Sequence, residues 1–222
     1  MLAPHISIVS PVYCADSCIK ELCQRLKLAI APITDNFEVI LVDDRSSDNS
    51  WAVIQDVAKK DSRIRGIRLA KNFGQHRAIT TGLDYSRGDW VVVMDCDLQD
   101  PPEAIPQLYA KACEGNEIVL AQFDVRANSS LRQKLSQSFW LGLSWLVGIK
   151  FDHKIGNFRI MSRRVVENFC SYREQSRLLS GITSLMGFTT ASIPLSRNSR
   201  FAGKTSYTFR KLISISFDIA IA

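Results

Sequence analysis

The sequence predicts an α/β domain, a mostly parallel sheet flanked by helices on both faces. Two observations carry that expectation. Strand-like runs recur at 6–12, 37–42, 65–69, 90–94 and 118–121, several of them continuously apolar and β-branched. Such runs mark strands buried on both sides. Between them lie segments with helical spacing of apolar residues, and strands alternating with helices imply parallel pairing. At 222 residues, 46% hydrophobic and 23% charged, the chain has room for one domain with a real core. Disorder and fibrous repeats are excluded on composition.

Taken in order, residues 6–12 read as a buried strand ended by Pro11, and 16–30 carries helical spacing through Ile19, Leu22, Cys23, Leu26 and Ile30. Phe37–Val42 runs into the polar segment Asp43–Asp48, where Ser47 or Asp48 is placed to cap a helix bearing Trp51, Val53, Ile54 and Val57. Arg65–Leu69 is a third strand, Gln75–Tyr85 a helix and Trp90–Met94 a fourth strand. Pro101-Pro102 then opens a helix, since proline suits a first helical turn. Ile118–Ala121 is a fifth strand.

Charge divides the chain. Residues 1–125 hold 13 Lys/Arg against 18 Asp/Glu, a net of −5, and residues 126–222 hold 15 against 4, a net of +11. The first stretch is expected to form one half of a single domain and the second the other half. An acidic half beside a basic half suits anionic lipid or phosphorylated small molecules. No nucleic-acid module or aromatic-basic RNA signature is present, so nucleic acid is not an expected partner. Six cysteines without a CxxC pair, and His5, His76 and His153 scattered, give no zinc spacing and suit reduced thiols in a cytosolic protein. No charged-then-apolar leader precedes the first strand, so secretion is not expected. The uncharged, aromatic-bearing run Leu135–Ile149 is shorter than the ~20 residues that span a bilayer.

Ligands of open α/β sheets bind beyond the carboxyl ends of the strands. That rule selects Pro11–Asp16, Asp43–Asp48 and Asp95–Asp100. In extended chain Asp95 and Asp97 would project to the same side, and two carboxylates so close are relieved by a divalent cation. Mg²⁺ or Mn²⁺ fits, because these hard ions prefer oxygen ligands and share them with a partner's phosphates. A pair of capping or turn aspartates is the plainer alternative, weakened by Asp43-Asp44 at the neighbouring strand end. Neither a Gly-x-Gly-x-x-Gly after the first strand nor a P-loop is present. A metal and basic side chains must therefore handle phosphates, which suits a nucleotide-diphosphate donor.

Six ordered motifs resemble those of family 2 glycosyltransferases, in the polyprenyl-phosphate, dolichyl-phosphate mannose synthase-like branch. They are Pro11-Val12-Tyr13; Val42-Asp43-Asp44-Arg45-Ser46-Ser47-Asp48; Asn72-Phe73-Gly74-Gln75 with Ala78 and Gly82-Leu83; Asp95 through Glu103; Gly156-Asn157-Phe158-Arg159; and the segment from Arg200 through Lys204 to Tyr207. The resemblance spans essentially the whole chain. It implies a GT-A fold, inverting transfer from a UDP- or GDP-sugar, and a Mg²⁺ or Mn²⁺ ion. By position it implies that Pro11, Tyr13, Asp16, Asp44 and Gln75 serve the nucleotide. Asp95 lies near ribose and metal, and Asp97 and Gln99 ligate the ion. Arg126 and Arg132 face phosphates, while Arg200 and Lys204 close over the pyrophosphate as catalytic counter-charge with Asp97.

The sequence departs from the pattern at two places. Cys14 stands where Asn is usual, which weakens Asp16 as a nucleotide contact. Asn157 stands where many relatives carry Asp, and an amide cannot accept a proton at neutral pH. A sugar hydroxyl acceptor needs a general base, whereas a lipid phosphate with second pKa near ~6 is already a nucleophile at pH 7. Polyprenyl phosphate is therefore the expected acceptor, with Asn157 and Arg159 offered to it; the pair Arg163-Arg164 reads equally as part of that cradle or as a solvated helix end. A hydroxyl of a lipid-linked or surface polysaccharide and a non-catalytic nucleotide-binding scaffold remain open on the sequence. Ser138–Ile149 carries Phe139, Trp140 and Trp145 between Lys134 and Lys150, as a helix lying in a membrane interface requires. The chain is expected at the cytoplasmic face of the membrane as a peripheral protein, held by this helix, by anionic lipid or by a membrane partner or second copy. The apolar run Ile213–Ala222 reads as the approach to transmembrane helices found in relatives.

Overall fold

A computed structural model describes residues 5–123, 155–172, 179 and 186–196. The strands are β1 (Ile6–Val12), β2 (Phe37–Asp43), β3 (Ile64–Arg68), β4 (Trp90–Val93), β5 (Ile118–Phe123), β6 (Ile155–Ser162) and β7 (Thr190–Leu195). The helices are α1 (Asp16–Ile30), α2 (Ser50–Lys60), α3 (Gln75–Tyr85), α4 (Ile105–Cys113) and α5 (Arg163–Ser171). A short 3-10 turn, Pro102–Ala104, precedes α4.

The seven strands form one sheet in the order β3-β2-β1-β4-β6-β5-β7. β1 pairs parallel to both β2 and β4, and β2 pairs parallel to β3. β6 alone runs against its neighbours β4 and β5, while β5 and β7 are parallel. The mostly parallel sheet is as expected; β6, α5 and β7 are additions that the sequence did not disclose. β6 and β7 come from the basic second half and complete the sheet of the first.

Every residue of β1 and β2 is buried because helices cover both faces. One face packs Ile6, Ile8, Val12, Val39 and Leu41 against Ile19, Leu22 and Leu26 of α1 and Leu108 of α4. The other packs Val9, Ile40, Val42 and Val93 against Ala78, Ile79 and Leu83 of α3 and Val165 and Phe169 of α5. Pro11 is tolerated in this interior strand for a visible reason. Val9 is the last β1 residue paired with β4, and Pro11 lies on the same side of β1, one step beyond that ladder. Because the chain leaves β1 toward β2 and later returns to place β4 on the opposite side, the strand order reverses at β1. That reversal opens a crevice at the strand ends.

The helix after β2 begins at Ser50, and Asp48 takes the Ser50 N–H at 3.0 Å without being its N-cap. Among the described residues, no helix is long and apolar enough to cross a membrane. The expected interfacial helix Ser138–Ile149 and the run Ile213–Ala222 lie outside the described residues.

Candidate active site at the strand ends

Three non-glycine residues have positive φ among the described residues, and each sits in one of the three loops at the reversal. They are Cys14 (φ 50) after β1, Arg45 (φ 58) after β2 and Leu98 (φ 61) after β4. Left-handed backbone at such residues is uncommon and persists only where neighbouring bonds hold it. Here the bonds are on view. The Asp44 N–H donates to the Val12 carbonyl at 2.9 Å, Cys14 N–H to Ser46 Oγ at 3.0 Å and Ala15 N–H to Ser50 Oγ at 2.9 Å. The Asp16 N–H donates to Asp48 Oδ2 at 3.4 Å. The first two loops are thereby one knitted unit, with Tyr13 left 42% exposed at its rim.

The two aspartates ending β2 divide their work. Asp43 is fully buried, ion-paired with Arg68 Nε at 3.1 Å, and its Oδ1 accepts the Ser46 N–H at 3.0 Å. Asp43 is thus a structural anchor, which corrects its use as evidence for a second ligand-facing carboxylate. Asp44, also buried, accepts the N–H groups of Phe73 at 2.7 Å and Gly74 at 2.9 Å. It fixes the loop that leads into α3 and so aims Gln75, the first residue of that helix.

Asp95 is where the elements converge. Its Oδ1 accepts Gln75 Nε2 at 2.6 Å and Asn157 Nδ2 at 3.3 Å, and its own N–H donates to Asp100 Oδ2 at 3.2 Å. β4 ends at Val93, so Asp95 and Asp97 are not successive same-side residues of a strand. Cys96-Asp97 forms a turn, closed by the Gln99 N–H on Asp97 Oδ1 at 3.2 Å and by Leu98 in the left-handed region. The outcome still resembles the expected alternation: Asp95, Asp97 and Gln99 are partly exposed while Cys96 and Leu98 point into the core. Burial, then the carboxylates on either side, pushes the Cys96 thiol well above its ordinary pKa. The Cys96 side chain is buried, away from the partly exposed Asp95 and Asp97.

The donor set fits a hard divalent cation. Among the described residues no group of three or more His, Cys, Asp or Glu side chains forms a metal cage. Two carboxylates at an open strand end are what Mg²⁺ or Mn²⁺ uses when it keeps waters and takes its remaining oxygens from a bound phosphate. Asp95 and Asp97 would hold it, with the Gln99 side chain beside them.

β6 places the rest. Its antiparallel register pairs Val93 with Arg159, and two further steps set Asn157 opposite Asp95. The same direction carries Arg163 and Arg164 to the opposite end of the sheet. There Arg163 donates to the Gly88 carbonyl at 2.6 and 2.8 Å, and Arg164 lies 3.5 Å from Glu117 Oε1. That corrects the expectation that this pair cradles an acceptor. Arg159 is corrected as well. It has 0% exposure, and its guanidinium donates to the carbonyls of Gly156 at 2.9 Å and Asn157 at 3.2 Å. A sealed guanidinium turned onto its own strand does not face an acceptor.

Tyr13, Asp16, Asp44, Gln75, Asp95, Asp97, Gln99 and Asn157 therefore lie on the loops and element ends at this pole, with Pro11 buried in the strand beneath them. Arg126, Arg132, Arg200 and Lys204 lie outside the described residues. Asp100 was not singled out from the sequence. Its signal in the sequence was an aspartate immediately before Pro101, where such a side chain commonly bonds nearby backbone; the structure buries it.

The family model described as glycosyl transferase family 2 matches residues 7–179. The chain belongs to glycosyl transferase family 2. This family 2 chain is 35% identical over 220 residues to the glycosyltransferase YkcC of Bacillus subtilis, covering 98% of this chain and 68% of that protein. It is 34% identical over 215 residues to the undecaprenyl-phosphate 4-deoxy-4-formamido-L-arabinose transferase of Shewanella sediminis, covering 96% and 65% respectively. The chain thus spans about two thirds of the length of these curated relatives. Among solved structures, glucosyl-3-phosphoglycerate synthase of Mycobacterium tuberculosis, in complex with Mn²⁺, UDP and phosphoglyceric acid, superimposes with a TM-score of 0.65. Identity is 18%, over 97% of this chain and 76% of that one. The mannosyltransferase PcManGT of Pyrobaculum calidifontis, in complex with GDP-mannose and Mn²⁺, gives 0.61 at 14% identity, over 99% and 70%. These likenesses show that the family 2 chain has the GT-A fold.

Proposed function

We propose that this family 2 glycosyltransferase moves a hexose from a nucleotide-diphosphate sugar to polyprenyl phosphate, with inversion, at the cytoplasmic surface of a membrane. The observation that carries the reading is the Asp95–Asp97 turn at the strand-order reversal, with an amide rather than a carboxylate at Asn157 beside it. The relatives named for undecaprenyl phosphate support the acceptor, and the neighbours holding UDP or GDP-mannose with Mn²⁺ support the donor class and the ion.

In this reading an oxygen of the lipid phosphate attacks the anomeric carbon as its bond to the β-phosphate oxygen breaks. The electron pair leaves on the nucleoside diphosphate, and the configuration at carbon inverts. Asp95 and Asp97, with Gln99, would hold a divalent ion, which when bound would supply counter-charge and Lewis acidity to the departing pyrophosphate. Tyr13 offers its exposed ring to the base, and Pro11, Asp16, Asp44 and Gln75 shape the floor beneath base and ribose. Arg126, Arg132, Arg200 and Lys204 are the cations assigned to the phosphates. Asn157 accepts no proton, and none has to be removed from an acceptor that is ionised at pH 7. The basic second half draws the chain to anionic lipid.

The test incubates the protein with Mn²⁺, undecaprenyl phosphate and each of several radiolabelled UDP- and GDP-sugars, then extracts the lipid. Label in the organic phase that disappears with EDTA and returns with Mn²⁺ is the expected result. Metal-dependent donor hydrolysis without lipid label would instead point to a sugar hydroxyl acceptor. Absence of both would refute catalysis by this chain.

A further inference from the structure

We infer that Arg159 is a positioning residue: by tying down the carbonyls of Gly156 and Asn157, it aims the Asn157 amide at Asp95 and so presets that carboxylate for the cation. The inference rests on the metal-dependent reading above.

The argument begins with register. β5 and β6 pair Leu120 with Arg159 but Gln122 with Ile155, so β6 carries two more residues than β5 across this stretch. The surplus falls at Gly156–Phe158, a bulge in which the chain leaves the ladder. β4 gives no ladder support there either, since its pairing with β6 stops at Val93–Arg159. Bulged carbonyls inside a protein need donors. The Arg159 guanidinium supplies them at 2.9 and 3.2 Å.

Arg159 and Asn157 are two apart, on the same side of the strand, so the side chain reaches back along its own face. Met161, two residues further on, packs in the α3–α5 layer, which puts Arg159 on the α3 side of the sheet. His76 of α3 lies near enough for the Arg159 charge, together with burial, to lower its pKa. The Arg159 guanidinium thus lies on the side of the sheet covered by the helix whose first residue, Gln75, makes the second amide bond to Asp95.

Sealing a guanidinium in the interior is costly, and an apolar residue would fill the space without that penalty. Burial lowers the Arg159 pKa to about 10, which still leaves it charged at pH 7. A charge kept under such cover needs partners, and two of them are the carbonyls of Gly156 and Asn157. Among the described contacts these belong to the segment whose Asn157 side chain bonds the Asp95 carboxylate at 3.3 Å. Anchoring the backbone on both sides of the Asn157 Cα fixes the direction of its Cα–Cβ bond before any ligand arrives, so that only two side-chain torsions are left for the bond to Asp95 to set.

The experiment compares wild type, Arg159→Lys, Asn157→Ala and the double variant in the full chain. Mn²⁺ affinity is read by electron paramagnetic resonance of free Mn²⁺, alongside circular dichroism and KM for undecaprenyl phosphate. Each single variant should weaken Mn²⁺ binding about three- to tenfold, and the double variant should be no weaker than the worse single, because both act through one contact. Losses that multiply would overturn the inference. So would a folded Arg159→Lys that binds Mn²⁺ like wild type, or one that changes only the KM for the lipid phosphate and thereby marks a direct acceptor ligand. If Arg159→Lys does not fold, Asn157→Ala decides: unchanged Mn²⁺ affinity overturns the inference. Wild type that binds no Mn²⁺ removes the metal reading itself, a different failure from wild type that binds while the variants match it.

Discussion

Gly82→Ala probes whether the seat of α3 on the sheet is set by one missing side chain. A Cβ at Gly82 would overlap Val9 Cγ1 and stand 3.2 Å from Val42 Cγ2. Val9 and Val42 are both fully buried, and a β-branched side chain in a strand has little rotamer freedom with which to yield. Relief must come from moving α3 outward. Overpacking of this kind costs about 1–3 kcal/mol. Alanine returns up to about 1 kcal/mol of helix propensity. With two rigid valines in the way the cost lies at about 2–3 kcal/mol, so the net loss is about 1–2 kcal/mol, a fall in Tm of about 2–8 °C for a chain of this size. Because Gln75 begins the same helix, its 2.6 Å bond to Asp95 should lengthen, and sugar transfer should fall by more than the loss of folded protein explains. Thermal unfolding by circular dichroism, paired with lipid-extraction assays well below Tm, reads both effects. A variant with unchanged or raised Tm would refute the claim that α3 is seated at this glycine.

Asp97→Asn should cut transfer by about 10²–10³ while leaving Tm within about 2 °C, since the side chain is partly exposed and the isosteric amide oxygen can still accept the Gln99 N–H; retained turnover would remove it from the metal site. Tyr13→Ala should raise the donor KM roughly tenfold, with the lipid KM unchanged, as expected for loss of one base–aromatic stack. Asp61 joins the end of α1 to the loop after α2 through Arg63 at 2.9 Å and Lys27 at 2.7 Å. The Arg63 hydrogen bonds, then Lys27, hold its carboxyl well below the usual range. Its stabilisation is thus complete above the unfolded pKa near ~3.9 and is lost as pH falls through the lower folded value. Asp61→Asn should cost on the order of 1 kcal/mol at pH 7 by urea denaturation, and that deficit should shrink below about pH 4. A deficit independent of pH would show that the carboxylate's charge is not what holds α1.

The first half of the fold was legible because its strands are buried on both faces and its helices carry clean apolar stripes. Composition alone marks both. β6 was not legible. Its run Ile155–Ser162 is broken by a glycine, an asparagine and an arginine, and its place between β4 and β5 depends on partners far along the chain. The carboxylate cluster was visible as a pattern but not as a division of labour. Asp43 and Asp44 are adjacent and identical in type, yet one meets Arg68 and the other a backbone loop. Only tertiary contacts distinguish them. Arg159 was misread for a related reason: from sequence an arginine beside a candidate site suggests a phosphate ligand, and nothing local reveals that a bulge will need its donors.

The charge division gives the fold a problem that its site answers. Residues 1–125 supply Asp44, Asp95, Asp97 and Asp100 to the crevice and are acidic as a whole, whereas a nucleotide-diphosphate donor and a lipid phosphate are both anions. An acidic crevice alone would repel them. The two amides on Asp95 lower that repulsion locally, since Gln75 and Asn157 bring donors without adding carboxylate charge. A carboxylate at position 157 would instead stand about as close to Asp95 as the amide now does, where like charges in a partly covered site disfavour joint ionisation. An amide there keeps the approach of a phosphate acceptor open. The remaining charge has to be met by the divalent ion and by the basic second half, so donor and acceptor should bind productively only when both sources of positive charge are in place.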